Sequence, residues 1–368
     1  MGRGVDVFVI GGGPAGLAAA IAASEKGFRV TVADGAQPPI DKACGEGLMP
    51  HSLAAVRKLG VALRAEDGVA FRGIRFVEGR IRIDGDFPDG PGLGMRRTVL
   101  HGKMVQRASD CGVEFLWNTP VTALRAEGVV AAGRVIPAKW VIGADGSRSR
   151  VRRWSGLNAD TQQDRRIAYR RHYRMKPWSN YTEVHWGNET QAYVTAVSGE
   201  EICVTVISRP PGGRLETILR EFPWLSNSLE GAEATSTERG GVTAMHRLAG
   251  VYRGHVALIG DASGGVDAIT GEGLGLSFQQ ATVLAEALAN DDLEQYQAAH
   301  RRLARRPHWM ARLMLLLGEQ PVLRERTLRV LRTEPRLFER LLAVHVGESS
   351  PLHLATTGAL LGWRLLAA

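Results

Sequence analysis

Gly11, Gly13 and Gly16 stand in G-x-G-x-x-G spacing directly after an apolar, β-branched run, Val5 to Ile10. That pattern can hold a phosphate. Gly11 allows a tight turn, Gly13 lets the backbone approach a pyrophosphate, and Gly16 lets a helix pack closely on a strand. Pro14 and Ala15 lie inside the turn and belong to the same candidate contact. Leu17 to Ala23 continues as a small-residue helix whose N-terminus offers unpaired N–H groups and a positive dipole end. Gly27 ends the helix, and Phe28 to Ala33 returns as a second strand with Asp34 at its tip, placed to accept hydrogen bonds from ribose hydroxyls. A lone glycine-rich turn is common. Here strand, helix, second strand and acid stand in register, which makes the unit a dinucleotide site and leaves open which dinucleotide it takes.

Two later stretches bear on that question. Val256 to Ile259 is a buried strand ended by Gly260-Asp261, and Asp261 is placed to hold a polyol such as a ribityl chain. Gly271-Glu272-Gly273 then opens a helix of about seventeen residues. The N–H groups from Gly271 to Leu274 suit the edge of a ring that becomes anionic, such as a reduced flavin. Before these, Gly143 to Arg152 follows a strand and opens a helix, with Asp145-Gly146, Ser149 and Arg152 in D-G-x-x-S-x-x-R spacing. The loop Cys44-Gly45-Glu46-Gly47-Leu48 sets two glycines around a carboxylate, which permits close backbone approach to a planar ligand; the bland alternative is a surface loop.

The elements that must position these residues follow the same period reading. His51 to Leu59 is a short helix closed by Gly60, and Phe71 to Ile83 alternates as a hairpin turning near Glu78-Gly79. Gly90 to Gly94 is a loop, and Arg97 opens a helix running to about Asp110. Short strands follow at Val113 to Trp117, Val121 to Leu124, Gly128 to Arg134 and Trp140 to Ile142, and suggest an inserted β-meander. A second set (Arg170 to Arg174, Thr182 to Trp186, Thr190 to Ser198, Glu201 to Arg209) makes a sheet of about five strands that can roof a hydrophobic site. His172, Tyr173 and His185 stand on that sheet, where a structural role is favoured for each. Pro210-Pro211-Gly212-Gly213 is a break, and Asp291 to Val346 is helical and basic. The apolar end, Leu352 to Ala368, is a candidate cap for the cavity.

Composition bounds the rest. A chain of 368 residues with 44% hydrophobic and 23% charged residues is globular and long enough for two joined domains. Three cysteines without paired spacing argue against a disulfide framework and against a zinc site, so no metal is expected. The first strand begins by Val5 and no run of about eighteen apolar residues exists, so neither a signal peptide nor a membrane span is expected, and a cytoplasmic setting is simplest. The net charge of +8 is carried by arginine clusters at Arg148 to Arg153, Arg165 to Arg174 and Arg301 to Arg306. Without a nucleic-acid motif these read as solvated faces that also attract a phosphate-bearing cofactor; nucleic acid is not an expected partner, and a peripheral membrane contact stays open.

With these stretches in view, the chain resembles the FAD-dependent oxidoreductases of the para-hydroxybenzoate hydroxylase structural group over its first 290 residues or so. Gly11 to Gly16 with Asp34 is similar to the group's adenosine-pyrophosphate motif, Asp145-Gly146 to its DG motif, and Gly260-Asp261 to its GD motif. Arg97 matches an arginine that members place near FAD. Cys44 to Leu48 and Thr270-Gly271-Glu272-Gly273 look most like the geranylgeranyl reductase branch, which implies Cys44, Gly45 and Glu46 near the flavin ring, Cys44 and Glu46 in a catalytic role. Ala262-Ser263 after the GD motif and Ala268 before T-G-E-G depart from the usual patterns, and the halogenases' W-x-W-x-I-P motif is absent.

The resemblance implies an α/β fold: a Rossmann-type FAD-binding domain with an inserted, mainly β substrate domain and a C-terminal helical region. The expected division is residues 1–165 for the first part of the FAD domain with the β-meander, 166–250 for the substrate sheet, 251–290 for the last FAD part, and 291–368 for the helices. It also implies FAD as cofactor, NADPH or NADH as electron donor, and a hydrophobic small-molecule substrate. A monooxygenase that uses O2 on an aromatic or polyketide-like molecule is narrowly favoured over a reductase of isoprenoid C=C bonds. Oligomeric state is not legible.

Overall fold

The structure is a computed structural model that describes residues 5–158, 165–209, 213–347, 356–360 and 362–364. The break at Pro210 to Gly212 and much of the segment from Leu352 to Ala368 lie outside the described residues.

The α/β architecture holds. Strand Val5–Ile10 is flanked in parallel by Val30–Ala33 on one side and Arg134–Gly143 on the other, with Glu114–Leu116 and Val256–Leu258 extending the sheet outward. These strands are near-continuous apolar runs because helices cover both faces of a parallel sheet. The helices Pro14–Glu25 and Gly273–Ala289 pack against each other in the main core, with Leu17, Ile21, Phe278 and Leu284 fully buried. Asn290 follows the second of these, and the helix has the length the sequence leads one to expect.

Opposite lies a seven-stranded sheet in the order Arg239–Thr243, Arg166–Arg174, Glu201–Ser208, Gln191–Ser198, Thr182–Trp186, Gly73–Glu78, Ile81–Asp86. Here the structure differs from the sequence reading. The hairpin at 73–86 leaves the nucleotide half and joins the roof, because Gly73–Glu78 pairs in parallel with Thr182–Trp186 more than a hundred residues away. The roof therefore has seven strands instead of five. The meander that stays with the nucleotide sheet is only Val121–Arg125, Gly128–Ala131 and the start of Arg134–Gly143.

The expected loop at Gly90 to Gly94 is also a strand. Gly92–Gly94 is the centre of a small sheet between Gly47–Leu48 and Val69–Phe71. A Cβ on Gly94 would sit 2.0 Å from the Ala196 carbonyl oxygen, so glycine is what lets this strand lie against the roof. The Cys44–Leu48 loop is thereby fixed between the two large sheets.

Helices Leu293–Glu319, Pro321–Thr333 and Pro335–Val346 close the far side. Phe338 packs on Phe76 with ring centroids 4.8 Å apart, and Leu328, Leu331, Leu337 and Leu342 complete that core. Buried Arg324 fastens the helices to the roof: its Nε donates to Glu78 Oε1 at 2.7 Å and its Nη1 to the Leu317 and Gly318 carbonyls at 3.1 and 3.2 Å. Arg324→Ala strands all three acceptors. It should lower stability by about 3 kcal/mol, read as a fall in melting temperature and denaturant midpoint.

Candidate active site

Both halves face one cavity of about 390 Å³. At its nucleotide end lie Gly13 to Ala15, Arg97, Gly146, Gly260, Asp261, Gly271, Gly273 and Leu274; Cys44, Gly45 and Glu46 form a side wall. Gly11, Gly16, Asp34, Asp145 and Glu272 do not line it.

The glycine turn has the geometry its spacing implies. A Cβ on Gly16 would meet the Gly11 carbonyl oxygen at 1.9 Å, and one on Gly11, whose φ is +113°, would meet the Ala144 oxygen at 2.4 Å. Gly13 has nothing within 4 Å on that side and opens to the cavity. It also caps the helix Pro14–Glu25 without any side-chain acceptor, so the first N–H groups of the helix are left for a ligand. The helix Gly273–Ala289 likewise begins without a side-chain cap. Two positive helix ends thus meet at one cavity.

Asp34 receives the Gly12 N–H at 2.7 Å and the Ala36 N–H at 2.8 Å, which fixes it at the tip of the second strand. Asp261 is exposed at the cavity wall, and no hydrogen bond of its carboxylate is found among the described residues. Arg97 lines the cavity with its Nε buried and unpartnered. Open N–H groups and an orphaned guanidinium nitrogen are donors for a pyrophosphate, and an unpaired carboxylate is an acceptor for the hydroxyls of a polyol chain. FAD fits these residues.

Two sequence candidates do different work. Asp145 Oδ2 accepts from the N–H groups of Arg150 and Val151 at 2.6 and 3.1 Å, so its carboxylate caps a short helix instead of facing the cavity. Arg152 completes that motif, donating to the Ser147 carbonyl at 2.8 Å and the Ala262 carbonyl at 3.2 Å, and so holds the DG loop against the GD turn. Glu272 is buried behind the T-G-E-G turn, where Arg306 Nη2 donates to it at 3.2 Å and His51 and His345 lie 3.8 Å away. Thr270, Gly271, Gly273 and Leu274 are the residues of that stretch that line the cavity.

On the side wall, Glu46 is 4% exposed and holds a φ of +59°, rare for a residue with a side chain. Its Oε1 accepts from the Arg97 N–H at 2.9 Å and its Oε2 lies 2.6 Å from His172 Nε2. The Glu46 N–H points to Cys44 Sγ at 3.4 Å, and Cys44 is half-buried. Cys203 approaches the Glu46–His172 pair, the three ligand atoms lying within 4.8 Å of one another. Glu46 and His172 already bond each other, and burial pushes the Cys203 thiol well up, so it stays protonated and is a poor metal ligand. His185 instead bonds Glu183 at 2.9 Å and stacks on Trp224, and Tyr173 is buried beneath the roof; neither lines the cavity.

Beyond the wall the cavity is apolar: Met49, Ile74, Phe76, Met314, Leu331 and Phe338 are among its surfaces. The Tyr193 hydroxyl, with acidity suppressed by burial, donates to the Ile269 carbonyl at 3.1 Å between the two ends.

A family profile described as "FAD binding domain" matches residues 4–201. The chain belongs to that family. It is an FAD-dependent oxidoreductase of the para-hydroxybenzoate hydroxylase group. It is 27% identical to the menaquinone reductase of Mycolicibacterium smegmatis, over 81% of this chain and 80% of that protein. It is 30% identical to the probable 2-heptyl-3-hydroxy-4(1H)-quinolone synthase AqdB2 of Rhodococcus erythropolis, over 82% and 84% respectively. In fold it matches a geranylgeranyl bacteriochlorophyll reductase-like protein of Thermoplasma acidophilum with a TM-score of 0.74 at 18% identity, covering 96% of this chain and 95% of that one. No helix among the described residues is long and apolar enough to cross a membrane.

Two predictions follow from this geometry. Asp261→Ala should sharply weaken flavin retention, measured as the ratio of flavin to protein absorbance after gel filtration; full flavination would refute the assignment of Asp261 to the polyol. Acid should loosen the turns around the cavity. Burial lowers His51 to about 3 and His300, which bonds Ser263 of the GD turn at 2.9 Å, to about 4, against an ordinary 6.5. The unfolded chain takes these protons first, so stability is full above about pH 6.5 and falls as pH drops towards the folded values. By pH 5 the loss should be about 2 kcal/mol per histidine, read from urea midpoints at pH 7.5 and 5.

Proposed function

We propose that this protein is a single-component monooxygenase that uses NADPH or NADH and O2 to hydroxylate the ring of a hydrophobic molecule with an aromatic or quinoid head and an apolar tail. The observation that carries this reading is the shape of the cavity: one end presents helix N-termini and polar groups, and the other is walled by Met314, Leu331 and Phe338. A head group that reacts beside a flavin and a tail that must leave water are what such a space accommodates.

In this reading the turn Gly11 to Gly16 receives the pyrophosphate of FAD, Asp34 the adenosine ribose, and Asp261 the ribityl chain. Arg97 and the DG loop around Gly146 close over them, and the N–H groups from Gly271 to Leu274 face the ring edge where negative charge develops. Bound FAD supplies electron transfer from the nicotinamide and activation of O2. The chain itself orients the head and excludes water. Tyr193, held as a neutral phenol, is placed to accept a hydrogen bond from the head group, and residues 291–347 with the roof strands wall the tail away from solvent. The reaction balances as NAD(P)H, H⁺, O2 and R–H giving NAD(P)⁺, R–OH and water.

A second reading, reduction of an isoprenoid C=C bond, is supported by the half-buried Cys44 thiol at the cavity wall and by the similarity to menaquinone reductase. There Cys44 or Glu46 gives the proton that accompanies hydride transfer. The deciding experiment offers the holoenzyme NAD(P)H under isotopically heavy O2 with alkyl-substituted phenols, 2-alkylquinolones and a polyprenyl naphthoquinone. Heavy oxygen in the product supports hydroxylation. A polyprenyl side chain that gains two hydrogens across a C=C bond, with no oxygen added, overturns it in favour of the reductase. Under the reductase reading Cys44→Ser should impair turnover with FAD still bound; unchanged turnover would remove that role.

A further inference from the structure

Glu46 is one end of a hydrogen-bonded chain that runs to the segment beside strand Arg166–Arg174 of the roof sheet. His172 Nε2 lies 2.6 Å from Glu46 Oε2, both side chains 1% exposed, and His172 Nδ1 lies 2.8 Å from Ser236 Oγ. Ser236 is part-exposed, on the segment leading into strand Arg239–Thr243, and also receives the His172 backbone N–H at 3.1 Å. The chain thus runs from the side chain of a cavity-lining residue, through a buried imidazole, to the hydroxyl of a part-exposed serine.

Arg170 sets its direction. Its Nη1 lies 3.0 Å from His172 Nδ1, and a guanidinium can only donate. Nδ1 is therefore the bare nitrogen of a neutral ring, and Nε2 carries the hydrogen that it donates to Glu46. Asp41 fixes Arg170 from the other side by an ion pair, the Lys42 carbonyl accepts from the same Nη2 at 3.2 Å, and Arg239 lies 3.5 Å from Asp41. The charged groups around the imidazole all favour this tautomer. Cys203, kept protonated by burial, adds no competing charge.

We propose that Glu46, His172 and Ser236 form a proton relay loaded to carry one proton from solvent into the cavity. Water gives a proton to Ser236 Oγ as that hydroxyl passes its own to His172 Nδ1, and the Nε2 proton moves to Glu46 Oε2, where the carboxyl holds it for the reaction. No other group is oxidised or reduced. Outward transfer from Glu46 is blocked in the resting tautomer, because Nε2 already bears a hydrogen. After delivery, Nδ1–H faces the Arg170 donor and a bare Nε2 faces an ionised Glu46; both contacts are repulsive, so a turn of the ring about Cβ–Cγ, which carries its N–H towards Glu46, resets the relay. The proposal rests on the reading above only in that turnover takes up one proton, and both hydroxylation and C=C reduction by NAD(P)H do so. Arg170 and His172 act through Glu46 and are positioning and relay residues.

The test is nitrogen-15 histidine NMR of the oxidised holoenzyme with a solvent deuterium exchange measurement on the His172 ring. The relay requires a protonated Nε2 with a bare Nδ1. It also requires Ser236→Ala, at a part-exposed position, to slow exchange of the Nε2 hydrogen by an order of magnitude or more with flavin content unchanged. His172→Gln, which can still donate to Glu46 and cannot pass a proton, should keep FAD and lose turnover. A bare Nε2, or wild-type exchange in Ser236→Ala, overturns the relay. The heavy-oxygen experiment can fail while the ring shows the required tautomer and exchange, so the two conclusions fall separately.

Discussion

A carboxylate cannot be buried without partners, and Glu46 is almost wholly buried. Its two oxygens therefore dictate where three separate pieces of the chain must meet. One oxygen takes the first N–H of the helix Arg97–Asp110, which belongs to the nucleotide half; the other takes His172 from the roof sheet; and Glu46 itself sits in the loop between them. Leaving either oxygen bare would cost several kcal/mol, so the cavity wall and the relative placement of the halves are coupled at this point. The left-handed backbone of Glu46 is a local strain that this double attachment supports.

The same economy of polar groups explains how the cofactor motifs divide their labour. In the D-G-x-x-S-x-x-R stretch, Asp145 and Ser149 cap one short helix while Arg152 reaches the Ala262 carbonyl, so the motif organises two turns around the cavity. In T-G-E-G, Glu272 is tied to Arg306 on the long C-terminal helix, which links that region to the turn beneath the proposed ring site. The side chains of Asp145 and Glu272 thus take part in holding the turns around the cavity.

The apolar half of the cavity has a different origin. Its walls come from a hairpin at 73–86 and from helices beyond residue 293, held by Arg324 and the Phe76–Phe338 contact. An aromatic head with a long tail and an isoprenoid chain both suit such a space.

The sequence alone determined the nucleotide half, because its signals are local. Glycine spacing, the small-residue helix, Asp34, Gly260-Asp261 and the helix after Gly271 each need only neighbours a few residues away to be legible, and the family follows from their order. It also carried a muted sign of the relay: Arg166, Arg170 and His172 alternate on the inward face of one strand, where polar side chains demand partners. Only the tertiary structure decided those partners. Which strand the 73–86 hairpin joins and that Glu46, His172 and Ser236 form one chain both depend on pairings across more than sixty residues. Burial and hydrogen-bond satisfaction choose among such pairings globally, and no local spacing encodes the choice.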